Sequence, residues 1–173
     1  MNLFPFFVDI QGKTALIIGG GRVAERKAKL LLRFGADILI LAPETSIEGT
    51  FLSDRPEEGG RIGRGRTGEE IRKLKEMIHT AGGICILKKE FEEEDILLGD
   101  FVIAATDSRE KNAAVAGACR ERKIPVNVAD DSDLCTFIFP SLIKRGALSV
   151  GITTGGSSPS ASRLLRERIE EAL

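Results

Sequence analysis

Thr14-Ala-Leu-Ile-Ile18, Gly19-Gly20-Gly21-Arg22-Val23-Ala24, Glu25-Arg26-Lys27-Ala28: the reading of this stretch decides the fold. A short apolar run leads into glycines spaced as GxGxxA, and a helix-periodic segment follows at once. Gly19 suits a tight turn, Gly21 lets a pyrophosphate approach the backbone, and Ala24 lets helix and strand pack closely. The free N–H groups at the helix start then face an anion. A glycine string alone is weak, but between a buried-type strand and a helix it points to a bound dinucleotide.

Working outward, strand and helix signals alternate. The first helix is expected over about Val23–Arg33, with Ala24, Ala28 and Leu31 inward and Gly35 as its stop. Strands are expected at Asp37–Ala42, Ile84–Leu87, Phe101–Ala105 and Pro125–Ala129, and a polar helix at Glu69–Ala81. Asp107 and Glu110 suggest a capping box opening the helix after the fourth strand. Repeated βα units of short apolar strands predict an α/β fold, a Rossmann-type parallel sheet covered by helices on both faces. Residues 53–68, rich in Gly and Arg, read as a mobile surface loop.

Past Asp133 the rhythm changes. Phe137–Pro140 and Ala147–Thr153 read as strands without an intervening helix. Ser158 then suits an N-cap and Pro159 the first helical position. Residues 1–133 are therefore expected to form the dinucleotide-binding domain and 134–173 a small α+β unit. The latter is too small to stand alone, and a homodimer through it is expected.

Composition narrows the function. The 173 residues carry a formal charge of −1, which gives no attraction to nucleic acid or anionic membrane. No apolar run is long enough to span a bilayer, so a cytoplasmic protein is expected. Cys85, Cys119 and Cys135 lack metal-ligand spacing and read as buried free thiols; no metal site is expected. The only histidine, His79, lies in a charged helical stretch, so no Ser-His-Asp or Cys-His arrangement can be built.

Ligands of such sheets bind beyond the carboxyl ends of the strands. The Gly19–Ala24 turn, the Ala42-Pro43-Glu44 exit and Thr106-Asp107 converge there. NAD is favoured over NADP because no basic cluster follows strand two, although Arg22 can approach a phosphate. Asp130 falls directly after Val126-Asn127-Val128-Ala129, where a carboxylate can take a proton while a hydride leaves. A solvated turn made by Asp130, Asp131 and Asp133 fits the spacing equally well.

Several segments together carry a family resemblance. They are Leu3-Phe4-Pro5-Phe6-Phe7, the Gly19–Lys27 turn, Ala104-Ala-Thr-Asp107, Asn127-Val-Ala-Asp130, Phe137-Ile-Phe-Pro-Ser141, and Thr154-Gly-Gly-Ser-Ser-Pro159 with Arg163-Leu-Leu-Arg166. In this order they resemble the precorrin-2 dehydrogenase family, the dehydrogenase/chelatase part of siroheme synthase. The resemblance covers nearly the whole chain apart from Ser53–Ala81. It implies NAD-dependent oxidation of precorrin-2 to sirohydrochlorin, with Asp130 tied to dehydrogenation and, where it occurs, to ferrochelation. It also implies cofactor contacts at Arg22, Val23, Pro43 and Glu44, and a dimer built by the second domain. Lys144, Arg145 and Arg163 are candidate partners for the substrate's carboxylates, or plain surface charge.

Three departures qualify the resemblance. The Gly/Arg-rich segment replaces a compact link. Thr154 stands where fused relatives have a phosphorylatable serine. The sequence stops at Leu173 where longer relatives continue into a helical domain, so dehydrogenation is expected ahead of iron insertion. The alternatives weighed are a non-enzymatic NAD-sensing regulatory domain and a tetrapyrrole carrier or chelatase without dehydrogenase turnover.

Overall fold

The computed structural model describes residues 3–52 and 67–173. The chain divides into two compact units, Asp9–Thr136 and a second formed by Phe137–Leu173 with the N-terminal segment up to Val8. The first unit runs past the expected limit at Asp133 because Thr136 is still tied to strand Val126–Val128. Its N–H donates to the Val126 carbonyl (2.8 Å), and the Val126 N–H donates to its hydroxyl (2.7 Å).

In chain order the first unit contains β1 (Thr14–Ile18), α1 (Arg22–Leu32), β2 (Asp37–Leu41), β3 (Thr50–Leu52), α2 (Gly68–Ala81), β4 (Ile84–Leu87), β5 (Phe101–Ala104), α3 (Arg109–Glu121) and β6 (Val126–Val128). The strands form one sheet of order β3-β4-β2-β1-β5-β6, parallel throughout. β1 is buried at every residue, as a central strand covered on both faces must be. One face carries Leu16, Ile18, Leu39, Leu41, Val102, Ala104, Val126 and Val128 against Leu74 and Ile78 of α2 and Val115, Ala116 and Cys119 of α3. Each large aliphatic side chain withdrawn from water there contributes about 1.5–3 kcal/mol.

Local chemistry explains where the elements differ from expectation. β3 is only three residues long and carries too little pattern to be read from sequence. The expected loop 53–68 ends early, because Thr67 caps α2: its hydroxyl accepts from the Glu70 N–H while Glu70 Oε2 accepts from the Thr67 N–H (2.7 Å). Residues 53–66 lie outside the described residues. α3 is capped by Ser108, whose hydroxyl accepts from the Lys111 N–H (3.2 Å), and not by an Asp107–Glu110 box. Thr106 decides this: its hydroxyl accepts from the Ser108 N–H (3.2 Å), fixing the turn one residue later.

The second unit holds β7 (Ser141–Arg145), β8 (Leu148–Ile152) and α4 (Pro159–Ala172). The first of these strands lies after Phe137–Pro140, not within it. Pro140 has no N–H to give a ladder. β7 and β8 pair antiparallel, with Arg145 opposite Leu148, across a two-residue turn whose Gly146 takes φ +55°. α4 begins as expected, with Ser158 accepting from the Ala161 N–H and Pro159 at the first position.

Candidate active site

Register brings the strand exits into line. Ile18 pairs with Leu41 on one side and Ala104 on the other, and Ala104 pairs with Val128. Each ladder closes with a bond one residue further on: Gly19 N–H to Leu41 O (2.9 Å), Ala105 N–H to Ile18 O (2.8 Å) and Ala129 N–H to Ala104 O (2.9 Å). The residues that follow, Gly20, Thr106 and Asp130, therefore leave one edge of the sheet side by side. After β2 the chain turns to the β4 side of β1, and later β5 enters on the other side. The glycine turn sits at that reversal, where open α/β sheets take their ligands.

The three glycines do different work. Gly19 has φ +120°, and a Cβ there would lie 2.3 Å from the Ala105 carbonyl oxygen and 2.9 Å from the Thr106 nitrogen. It is the position where β1 and β5 must nearly touch. A Cβ at Gly20 would meet Glu44 O at 2.5 Å and the Thr45 side chain, whose hydroxyl already donates to the Gly20 carbonyl (2.9 Å). The Pro43-Glu44 exit is thus held against the turn. At Gly21 a Cβ would meet no protein atom within 4 Å, so packing does not explain that glycine.

Gly21 is the N-cap of α1, and no side chain caps this helix. Its first N–H groups, on Arg22, Val23 and Ala24, are left for an external acceptor, and the helix dipole favours an anion there. Ala24 is fully buried beneath them, while Arg22 and Val23 are exposed. An open approach at Gly21 and an uncapped helix start fit a pyrophosphate. At the β2 exit Pro43 and Glu44 are exposed and bring no cation.

Asp130 is separated from its acidic neighbours. Asp131 turns back to accept from the Asp133 N–H (3.0 Å), capping a short 3-10 turn, Ser132–Leu134. Asp130 instead accepts from the Asn112 side-chain amide at 3.1 Å, and the Arg109 guanidinium stands 3.7 Å from its other oxygen. Asp130 is itself exposed, as Asp133 is, and differs from its neighbours in having these two partners. Asp107 is exposed, and Thr106 is drawn inward by Asn112.

Two buried polar residues at this edge escaped the sequence reading. Asn112 is 1% exposed in the interior of α3. The available signal was an amide on a helix face otherwise made of Val115, Ala116 and Cys119. Asn127, central in β6 and 4% exposed, receives the Lys27 ammonium on its Oδ1. Burial pushes Lys27 down to about 8, against the counteracting attraction of Cys135. Cys135 is half-buried rather than buried; its sulfur accepts from the Val128 N–H at 3.1 Å.

Among the described residues no group of three or more His, Cys, Asp or Glu could hold a metal ion. In the second unit Arg163 is paired with Glu167 (2.8 Å) and Arg145 donates to the Glu170 carbonyl (2.8 Å).

A parallel sheet that reverses its winding at a glycine turn, with an uncapped helix start beside it, defines a Rossmann-type dinucleotide-binding protein. Residues 6–141 match a family model described as NAD(P)-binding, and residues 145–172 match the sirohaem biosynthesis protein central region. The chain is 39% identical over 98% of its length to a siroheme synthase of Nitrosomonas eutropha, covering 30% of that protein. It is 40% identical over its full length to siroheme synthase 1 of Pectobacterium atrosepticum, covering 31% of it. Among solved structures it resembles SirC, a precorrin-2 dehydrogenase, with a TM-score of 0.66 and 25% identity over 99% of this chain and 71% of the other. The chain belongs to the NAD(P)-binding family whose model matches residues 6–141, continued by the sirohaem biosynthesis central region. It spans about a third of the length of the curated relatives it matches.

Proposed function

We propose that this chain oxidises precorrin-2 to sirohydrochlorin with NAD, using Asp130 as the base. The observation that carries the reading is the placement of one carboxylate, held by a buried amide, on the sheet edge that also carries the glycine turn. Forming the new double bond removes two hydrogens from the substrate, one as hydride and one as proton. NAD, when bound, takes the hydride. Asp130 takes the proton, and Arg109 at 3.7 Å can balance its charge while it waits. Gly19, Gly21, Arg22, Val23 and Ala24 would receive the pyrophosphate. Pro43 and Glu44 would border the adenosine, where the lack of a cation supports NAD over NADP. Thr106 and Asp107 would border the nicotinamide side.

The second unit supports assembly with a second copy. Leu148, Leu164 and Leu165 are 43–51% exposed, and Phe4 and Phe6, whose tilted rings lie 5.1 Å apart, are more than three-quarters exposed. Such a density of uncovered apolar side chains suits a homodimer interface. No helix among the described residues is long and apolar enough to cross a membrane, and the reading places the protein in the cytoplasm.

The test is incubation of the full chain with precorrin-2 and NAD, repeated with Asp130→Ala. The reading expects NADH from the first and none from the second, with NAD binding kept in both. NAD binding without turnover in the unsubstituted chain would favour a sensor or carrier instead.

A further inference from the structure

Asn112 has no part in the chemistry proposed above, yet it is the most completely engaged polar side chain at the site. A carboxamide offers two acceptor positions and two donor protons. Here all four are used. Oδ1 accepts from the Thr106 N–H (3.1 Å) and the Thr106 hydroxyl (2.8 Å). Nδ2 donates to the Thr106 carbonyl (3.2 Å) and to the Asp130 carboxylate (3.1 Å). Three bonds go to the turn after β5, which packs against Gly19; the fourth goes to the turn after β6.

An asparagine inside a helix gains nothing from intrinsic propensity, and a buried amide is tolerated only when its bonds are made. A helix-side apolar residue would serve packing as well as its neighbours Val115 and Ala116 do. The bonds join the two turns one step beyond the last backbone bond between them, Ala129 N–H to Ala104 O. Of the other charged groups nearby, Arg109 on α3 approaches the second Asp130 oxygen at 3.7 Å, in an exposed position. Asp131 and Asp133 are engaged with each other in the 3-10 turn, and Lys27 on α1 is bonded to Asn127. Asn112 alone among these reaches Asp130 from a buried, fixed position.

We infer that Asn112 is a positioning residue: its carboxamide fixes the Asp130 carboxylate against the Thr106 turn, so that base and cofactor-side loop keep one geometry. The inference rests on the dehydrogenase reading for its kinetic consequence, but not for its structural one.

Asn112→Asp keeps both acceptor positions for Thr106 and replaces Nδ2 by oxygen, which removes the donor to Asp130 together with the bond to the Thr106 carbonyl. Kinetically, kcat with precorrin-2 should fall about tenfold or more, the scale of one hydrogen bond to a charged group, with KM for NAD within about threefold. A raised KM for NAD at unchanged kcat would overturn the inference.

A second readout needs no turnover and no Asn112 variant. In nitrogen-15 spectra of the full-length protein, the Asn112 side-chain NH2 pair should shift in Asp130→Ala and stay put in Asp131→Ala. An Asn112 pair indifferent to Asp130→Ala would overturn the positioning role. Failure of the unsubstituted chain to make NADH would instead strike the dehydrogenase reading, leaving this spectrum to decide the role of Asn112.

Discussion

Alanine substitutions at Gly19 and Gly21, two residues apart in one turn, should have opposite signatures. At Gly19 two penalties combine. The φ of +120° is a backbone conformation that an L side chain enters at about 1–2 kcal/mol. The new Cβ would also sit 2.3 Å from the Ala105 carbonyl oxygen, which belongs to the main chain at the end of central strand β5 and has nowhere to move. Overpacking of that kind adds about 1–3 kcal/mol. Gly19→Ala should therefore lose about 2–5 kcal/mol, a large share of the roughly 5–15 kcal/mol a domain has. Gly21 has φ −91° and open space, so neither penalty applies. Its alanine variant loses a little as a poorer N-cap and gains a little from a stiffer unfolded chain, and should stay within about 1 kcal/mol of the parent. Its methyl group would nevertheless stand where we propose that the pyrophosphate approaches, and NAD affinity should drop at least about tenfold. Urea unfolding curves and NAD titrations of both variants provide the assay. The reasoning fails if Gly21→Ala is as destabilised as Gly19→Ala, or if it binds NAD like the parent.

Other outcomes follow from buried groups and uncovered surface. Lys27 titrates at about 8 in the fold against 10.5 unfolded, so between those values the unfolded chain holds the extra proton and stability should rise with pH. Denaturation curves across that window should show a rise of up to about 3 kcal/mol that Lys27→Met removes. Burial holds the Cys119 thiol up at about 11, and Cys85 is fully enclosed. Iodoacetamide at neutral pH should consequently label Cys135 before either, as peptide mapping would show. Leu164→Asp with Leu165→Asp should turn a dimer into monomers by sedimentation, because both side chains are about half exposed in the single chain; unchanged sedimentation of the parent and variant would remove α4 from the interface.

Much of the first unit was legible because it obeys local rules. β1, β2, β4 and β5 are continuous apolar runs, and α1 announces itself by glycines before it and Ala24, Ala28 and Leu31 along one face. The site's outline was legible for the same reason: strand ends and glycine spacing fix which residues leave the sheet edge. What escaped depends on partners distant in sequence. Gly20 reads as filler until Glu44 and Thr45 are seen against it. Asn112 acquires meaning only when β6 lies beside β5 and brings Asp130 within reach, 18 residues on. The α3 cap went to Ser108 because Thr106 shifted the turn, a competition among neighbouring hydroxyl and carboxyl groups that spacing rules do not rank. β7 was displaced because Phe137–Ile138–Phe139 looks strand-like by composition while the pairing was set by the tight turn at Gly146.

The central claim is that one chain joins a nicotinamide acceptor to a fixed carboxylate for removal of two hydrogens from a reduced tetrapyrrole. Its most direct test is an anaerobic single-turnover reaction of the full chain with precorrin-2 and NAD, in which both products are quantified. The account predicts NADH and sirohydrochlorin in equal amounts, and neither from Asp130→Ala. Sirohydrochlorin appearing without matching NADH, or at an undiminished rate from Asp130→Ala, would contradict it.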